Sequence, residues 1–375
     1  TINNPPTASE ITFADTGILD AFGKLRTTSP TTLFDSKTLH DKASLFWSQA
    51  VSGTGASVNF TSETGDASVT LSAATVGAYA IRQTYQRFNY QPGKSQNAMF
   101  TGVLTPVSNA VKRYGLFYSL TTTPHTPTCG LFFETQTDSP SSIAVVQLNT
   151  GGVVPSVSAR REDWNIDRLD GTGPSGKTLQ LSAANIFSID YEWLGVGRVR
   201  FGFVIDGKMC YAHSINNAGY VAGAYLRTPN LPVRAEIRQT GAGTCSMKQI
   251  CCSIQSEGGS DFTGVIKTIT SGTNALTIAT NAKRAVAGVR LVPDRIDSVN
   301  QVLNASAVCL ASNNQNAVYK YEIITNPTVT LASGASGTWT ALTNSNYEYW
   351  NWNNIGTRTV SGGTVIVAGF GGVGS

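Results

Sequence analysis

The sequence predicts an all-β protein, and three observations carry that prediction. Apolar and polar residues alternate with a period of two along much of the chain. Gly, Asn, Asp and Pro recur as turn signals at short spacing. No stretch carries a helical apolar pattern of useful length, apart from a weak short one after Ser182. Many short strands joined by tight turns build a sandwich or a barrel.

Composition narrows the class. The chain has 375 residues, room for more than one domain, and only 13% are charged, against roughly 25% in ordinary soluble domains. Thr, Ser, Asn and Gly fill the difference, which suits a protein packed against neighbours or standing outside a cell. The net charge is +4 with Lys and Arg scattered, so no nucleic-acid footprint is present. No apolar run approaches the ~20 residues of a membrane span, and no signal-peptide pattern opens the chain. Neither nucleic acid nor membrane is expected as a partner. None of the six cysteines sits in a CxxC pair, and three histidines cannot complete a zinc-finger spacing. Buried free thiols are the expectation, with a bridge inside the Cys245–Cys252 cluster or to Cys210 as the alternative. No phosphate-binding, EF-hand or other cofactor motif occurs, so no cofactor and no metal are expected.

Taken in order, residues 1–35 read as an extended arm. Asn4-Pro5-Pro6 is extended, and Ile18, Leu19, Phe22, Leu25 and Arg26 carry apolar bulk with no partner strand nearby. Such an arm docks on its own domain, on a neighbouring subunit or on a host structure. Residues 36–255 read as one β domain, with strands expected at 45–51, 57–62, 67–72, 79–87, 97–106, 111–119, 129–136, 143–147, 186–193, 196–205, 208–215, 233–240 and 244–253. The charged stretch 158–177, with Trp164 inside it, reads as an exposed loop. The pattern breaks at Glu257-Gly258-Gly259-Ser260, and residues 256–375 read as a second, smaller β domain, with strands expected at 265–270, 275–279, 285–292, 307–311, 318–325, 328–331, 338–341, 347–352 and 364–369.

The centre of the larger domain is the stretch 185–213. Ile186, Ser188, Asp190 and Glu192 alternate with Phe187, Ile189, Tyr191 and Trp193, and Arg198, Arg200 and Gly202 alternate with Val199, Phe201 and Phe203. Asp206-Gly207 is the signature of a type I′ hairpin turn. Aromatic residues on one face with Arg, Asp and Ser on the other predict a sheet with one side on a core and one side free. That free side is the expected place for function.

Catalytic readings are weaker than binding ones. Asp190 and Glu192 share a strand face roughly 7 Å apart, a separation that glycoside hydrolysis tolerates but that solvated strands also show. Glu134 with Asp138 has a similar look. No GxSxG occurs, and no neighbour orients His40, His125 or His213. Arg82, Tyr85, Arg87 and Tyr90 mix aromatics with planar polar groups, as sugar and protein contacts do. The competing assignment puts the aromatics in the core and leaves the arginines as a solubilising face. The candidate binding surface is therefore Arg82, Tyr85, Arg87, Tyr90, Trp164, Asp190 and Glu192.

Two resemblances follow from particular residues. The run 187–193, FSIDYEW, followed by 198–208, RVRFGFVIDGK, resembles the paired strands of concanavalin-like lectin and glucanase sandwiches. That likeness implies a lectin-like (jelly-roll) β-sandwich. The Glu-x-Asp-x-x-Glu strand of the glucanases is missing, which argues against hydrolysis. Phe22–Arg26, Thr32–Lys37, Tyr90–Gln96 and the 190–217 region together resemble virion structural proteins of tailed double-stranded-DNA phages and of large algal viruses. This likeness implies a particle component: a capsid decoration, fibre or tail-associated protein, assembled in the host cytoplasm and resident in the virion.

The expectation is thus a non-enzymatic virion protein with an N-terminal arm, a lectin-like sandwich and a smaller C-terminal β domain. It would form a symmetric homo-oligomer, a trimer by expectation, and contact other virion proteins such as capsid or tail components, with the arm residues Ile18, Leu19, Phe22, Leu25 and Arg26 as the first choice for that contact. A protein that binds host surface glycans is the alternative. A glycoside hydrolase of lectin-like fold is the third reading.

Overall fold

The computed structural model describes residues 19–22, 25–26, 30–120, 123–138, 142–259, 268–269, 284–291, 318–331, 339–343, 347–351 and 358–372. The chain divides into two compact units, Thr1–Phe262 and Thr263–Ser375.

The described strands of the first unit are β1 (Thr31–Lys37), β2 (Trp47–Ser52), β3 (Ala56–Thr61), β4 (Asp66–Ala74), β5 (Tyr79–Thr84), β6 (Gln96–Val103), β7 (Ala110–Ser119), β8 (Pro127–Thr135), β9 (Ile143–Asn149), β10 (Val157–Arg160), β11 (Asn185–Tyr191), β12 (Arg198–Ile205), β13 (Lys208–Asn216), β14 (Val233–Gln239) and β15 (Gly243–Ser256). They form two antiparallel sheets. One runs β13-β12-β11-β6-β15-β4-β3, with β1 also paired to β15; the other runs β10-β9-β8-β7-β14-β5-β2. This is the all-β sandwich that the alternation predicts.

The two sheets close on an aromatic core. Phe100, Phe187 and Phe203 come from the first sheet, and Tyr114 and Phe133 from the second. Phe133 lies 5.1 Å from Phe187 and 5.2 Å from Phe203, ring centre to ring centre, within the range where tilted aromatic pairs attract. The β12–β13 hairpin turns at Asp206 (φ 50°) and Gly207 (φ 74°), the two left-handed positions a type I′ turn requires.

Three expectations need correction. The arm does not extend to residue 35, because β1 pairs with the end of β15 from Thr31↔Ser256 to Lys37↔Cys251. Phe34 supplies the reason: it is buried against Phe46, Trp47 and Phe88. The stretch 158–177 is not simply an exposed loop. It begins in β10, passes a short 3-10 turn at Arg161–Asp163 and then packs Trp164, Asp167 and Leu169 into the body. Asp167 makes this tolerable by accepting the backbone N–H of Leu169 at 2.8 Å and of Ser175 at 2.7 Å. After Ser182 the chain makes a turn and enters β11, with no helix.

The second unit is also built of antiparallel pairs among its described residues. Its strands are β16 (Ala287–Leu291), β17 (Val318–Thr325), β18 (Thr328–Leu331), β19 (Thr340–Ala341), β20 (Tyr347–Asn351), β21 (Arg358–Ser361) and β22 (Thr364–Gly372). Trp350 is buried there and packs edge-on to Trp339, over which the Arg290 guanidinium sits at 4.2 Å. The strands expected at 265–270, 275–279 and 307–311 fall mostly or wholly outside the described residues, as does Cys309.

Candidate functional site

The polar face of β11 and β12, predicted to be free, is covered. Ser188, Asp190 and Arg200 have no exposed surface. Residues 19–22 and 25–26 lie across this face, with Leu19 bridged to Leu25. The described residues of the arm, 19–22 and 25–26, thus dock on their own sandwich, the first of the three options the apolar residues allow. Ile18 lies outside the described residues.

Asp190 is the hub of that contact. Its Oδ2 accepts from Arg200 Nη2 at 2.5 Å, Arg26 Nη2 at 2.5 Å and the Tyr211 hydroxyl at 2.9 Å, and its Oδ1 accepts from Ser95 Oγ at 2.8 Å. Arg200 stacks on the Tyr211 ring at 4.1 Å and donates to the Leu19 carbonyl at 2.7 Å. Arg26 also donates through Nε to the Leu19 carbonyl at 3.1 Å, and through Nη1 to the Glu257 carboxylate. Two cations and two hydroxyls around one carboxylate satisfy a buried charge that would otherwise be very costly. Ala21 completes the clasp: its carbonyl accepts from Arg198 Nε at 3.1 Å.

Beside the clasp lies a depression of about 370 Å³, lined by Ala21, Phe22, Glu192, Arg198, Asn216, Asn217 and Ala218. It sits where β11 and β13 end and β12 begins. Glu192 Oε1 accepts the Arg198 backbone N–H at 2.9 Å, while Oε2 is buried with no partner. Partial burial, helped by the nearby Asp20 and Asp190 charges, raises the Glu192 carboxyl above its usual range. The wall therefore offers a carboxylate acceptor, amide groups and an apolar side made by Phe22 and Ala21.

The remaining candidate residues do not form one surface. Arg82 is fully buried, donates to Gln249 Oε1 at 2.8 Å and lies 4.6 Å over the Trp47 ring; burial lowers its pKa to about 10. Arg87 sits 4.7 Å over Tyr118 and is lowered by burial to about 10. Tyr90 is buried between Tyr191 and Trp193 and accepts the Trp193 N–H at 2.8 Å. Trp164 is buried beside Phe203, its indole N–H on the Ala159 carbonyl. Tyr85 is exposed. As an exposed binding face this set is corrected: Arg82, Tyr90, Trp164 and Asp190 are interior. The physical reason is that long polar side chains here find partners inside the sandwich, so polarity on one strand face does not mark solvent.

The carboxylate pairs also separate. Asp190 is held by arginines while Glu192 turns to the depression. Glu134 pairs with Arg113 at 2.5 Å, and Asp138 pairs with Arg160 at 2.7 Å. Glu134, Arg113 and Glu236 instead form a row across β8, β7 and β14, with Glu236 bonded to Arg113 at 2.6 Å and Arg234 at 2.5 Å. Arg113 meets Glu236 and Glu134 across strands from distant segments, which no local pattern signals; Arg234 and Glu236 are two apart on β14, so that pair was within reach of the sequence. Arg200 was within reach: the hairpin register sets it opposite Asp190. Among the described residues no cluster of three or more His, Cys, Asp or Glu side chains could hold a metal ion.

No protein-family model matches the chain. No curated protein matches it. The sandwich is similar to solved structures. Arcelin-5, a lectin-like defence protein from Phaseolus vulgaris, aligns at 11% identity over 61% of this chain and 99% of its own, with a TM-score of 0.36. A non-specific endo-β-1,3(4)-glucanase of family GH16 aligns at 9% identity over 61% and 92%, with a TM-score of 0.40. The Bacillus licheniformis β-glucanase aligns at 10% identity over 61% and 98%, with a TM-score of 0.37.

Proposed function

We propose that this protein is a non-enzymatic structural component of a virus particle, a capsid decoration, fibre or tail-associated protein. The observation that carries the reading is where the residues of the virion resemblance meet. Arg26 of Phe22–Arg26, Ser95 of Tyr90–Gln96, and Asp190, Arg200 and Tyr211 of the 190–217 region converge on one carboxylate. These residues hold the chain's N-terminal segment on its own sandwich; that the residues of the resemblance share one structural task, and not a catalytic one, supports the reading. Of the carboxylates weighed as catalytic pairs, Asp190, Glu134 and Asp138 are each engaged by arginine. The test is peptide mass spectrometry of nuclease-treated, gradient-purified particles from the source culture. The reading expects this chain at a fixed ratio to the major capsid protein, and its absence from intact particles contradicts the reading.

The depression at Glu192 favours a second reading, a virion protein that binds host surface glycan. A neighbouring acceptor, amides and an aromatic wall are the groups that recognise a sugar ring. A glycan array gives hits that Glu192→Gln and Asn216→Ala weaken if this holds. An array without hits, or hits indifferent to both changes, removes it.

A further inference from the structure

We propose that Arg87 and Arg227 form a binding site for an oxyanion, either a free inorganic ion or an acidic group carried on a saccharide. Arg87 lies in the chain between β5 and β6, and Arg227 in the chain between β13 and β14. They meet at the end of β7. The Arg87 guanidinium sits 4.7 Å over the Tyr118 ring, and Arg227 reaches the Tyr118 hydroxyl. Cys129 faces Tyr118 across β7 and β8, and its thiol lies against the backbone of Arg227 and Thr228. The two connecting segments are fixed to each other just beyond these residues. Phe88 N–H donates to the Leu231 carbonyl at 3.2 Å, and Asn230 Oδ1 accepts the Tyr90 N–H at 2.8 Å.

This corner of the molecule holds positive charge without its counterpart. Arg26, Arg113, Arg200 and Arg234 each bond a carboxylate. Arg82, fully buried, has the Gln249 amide oxygen instead. Arg87 has neither: its Nη1 is buried with no hydrogen-bond partner among the described residues. The ionisable groups that act on it are Tyr118, Cys129 and Arg234, and no carboxylate is among them. Glu236 is already shared by Arg234 and Arg113. Arg227 adds a further cation, and its bond to the Thr150 carbonyl is a long one at 3.5 Å.

A ring face offsets only part of the cost of taking a cation out of water. An oxyanion supplies both things missing here, a negative charge and acceptors for the fixed fork of guanidinium N–H groups. Arg87 is half-buried and Arg227 exposed, so the pair opens to solvent. Arg87, read from the sequence as a contact residue, keeps that role with Arg227 as its neighbour. Neither arginine lines the depression at Glu192, and this inference depends on neither functional reading above.

Isothermal titration calorimetry of the full chain with sodium sulfate at constant ionic strength tests it, with far-ultraviolet circular dichroism as the check on folding. The wild type is expected to bind sulfate at a single site. Arg87→Gln and, independently, Arg227→Gln are expected to weaken that binding by at least about tenfold. Arg168→Gln, at an exposed position outside the site, leaves it unchanged. In chloride alone Arg87→Gln is expected to melt no lower than wild type, because it removes a buried cation that has no partner; a residue with only a structural role would lower the midpoint. A sulfated monosaccharide set against its unsulfated parent separates the two sources. Competition by the sulfated sugar alone supports a saccharide-borne group, and no competition by either supports the free ion. Absence of sulfate binding overturns the proposal, as does binding indifferent to both substitutions. Arg227 is exposed, so that variant keeps the test intact if Arg87→Gln fails to fold.

Discussion

Asp190 and Arg200 face each other across the β11–β12 hairpin, 2.5 Å apart, and neither side chain reaches solvent. A buried pair of this kind contributes little over a well-packed apolar pair, but breaking it leaves a charge with no partner. Asp190→Asn keeps the shape and removes the charge that Arg26 and Arg200 share. It is expected to cost about 3–5 kcal/mol, read as a lower denaturation midpoint of the sandwich unit in urea. A change under about 0.5 kcal/mol, the size of a surface substitution, would contradict the assigned role.

Arg26 holds the N-terminal segment from the outside of that pair, bonded to Asp190, Glu257 and the Leu19 carbonyl. Arg26→Ala frees residues 19–26 while leaving Asp190 paired to Arg200. Chymotrypsin cleavage after Phe22 and Leu25 is expected to speed up by roughly tenfold, since cleavage follows the open population. The rest of the sandwich should stay protected. Unchanged cleavage at these sites would show that the segment is held by something else.

His213 gives a pH dependence with a definite sign. It is buried, and its Nδ1 accepts the Asn165 N–H at 3.2 Å, which needs the neutral ring. Burial lowers its pKa below the ordinary histidine value. The unfolded chain therefore binds a proton at a pH where the folded chain does not, and stability falls as pH drops through and below about 6.5. The partly buried carboxyls Glu192 and Glu257 are raised by desolvation first and act in the opposite direction. His213→Gln is expected to flatten the acid-side loss relative to wild type in urea midpoints measured between pH 5 and 7. An equal loss in both proteins would exclude His213 as its source.

The cysteines divide by burial. Cys129, Cys210, Cys245, Cys251 and Cys252 are free thiols, with Cys129, Cys245 and Cys252 buried. Burial pushes each of these three up, which disfavours the reactive thiolate. Timed alkylation of native protein, read by peptide mass spectrometry, is expected to reach Cys251 and Cys210 well before the other three. Rapid labelling of Cys252 would contradict the buried placement of β15 beside β6.

Much of the fold was legible because its signals are local. Alternation locates β2 to β9 and β11 to β15 within a few residues, and Asp206-Gly207 locates its turn. β1 has no local signal because its pairing partner lies more than two hundred residues away, and β10 runs into a charged stretch whose polarity does not mark exposure. The candidate site was legible in its parts and not in its assembly. Asp190, Glu192 and Arg26 were all singled out, but as an exposed surface and a separate arm. What joins Asp190 and Arg26 is the burial of a polar strand face beneath the arm, and no periodicity signals that an apolar segment will cover a polar face. Arg200 opposite Asp190 was the one available clue.

The most direct test of the central claim, that Arg26 and Asp190 clasp the N-terminal segment to the sandwich, is a double-mutant cycle. Arg26→Ala, Asp190→Asn and the double variant would be compared with wild type by urea unfolding. The clasp predicts a coupling energy on the order of 1–3 kcal/mol, with the double variant little worse than Asp190→Asn alone. Strictly additive effects, within about 0.5 kcal/mol, would contradict it.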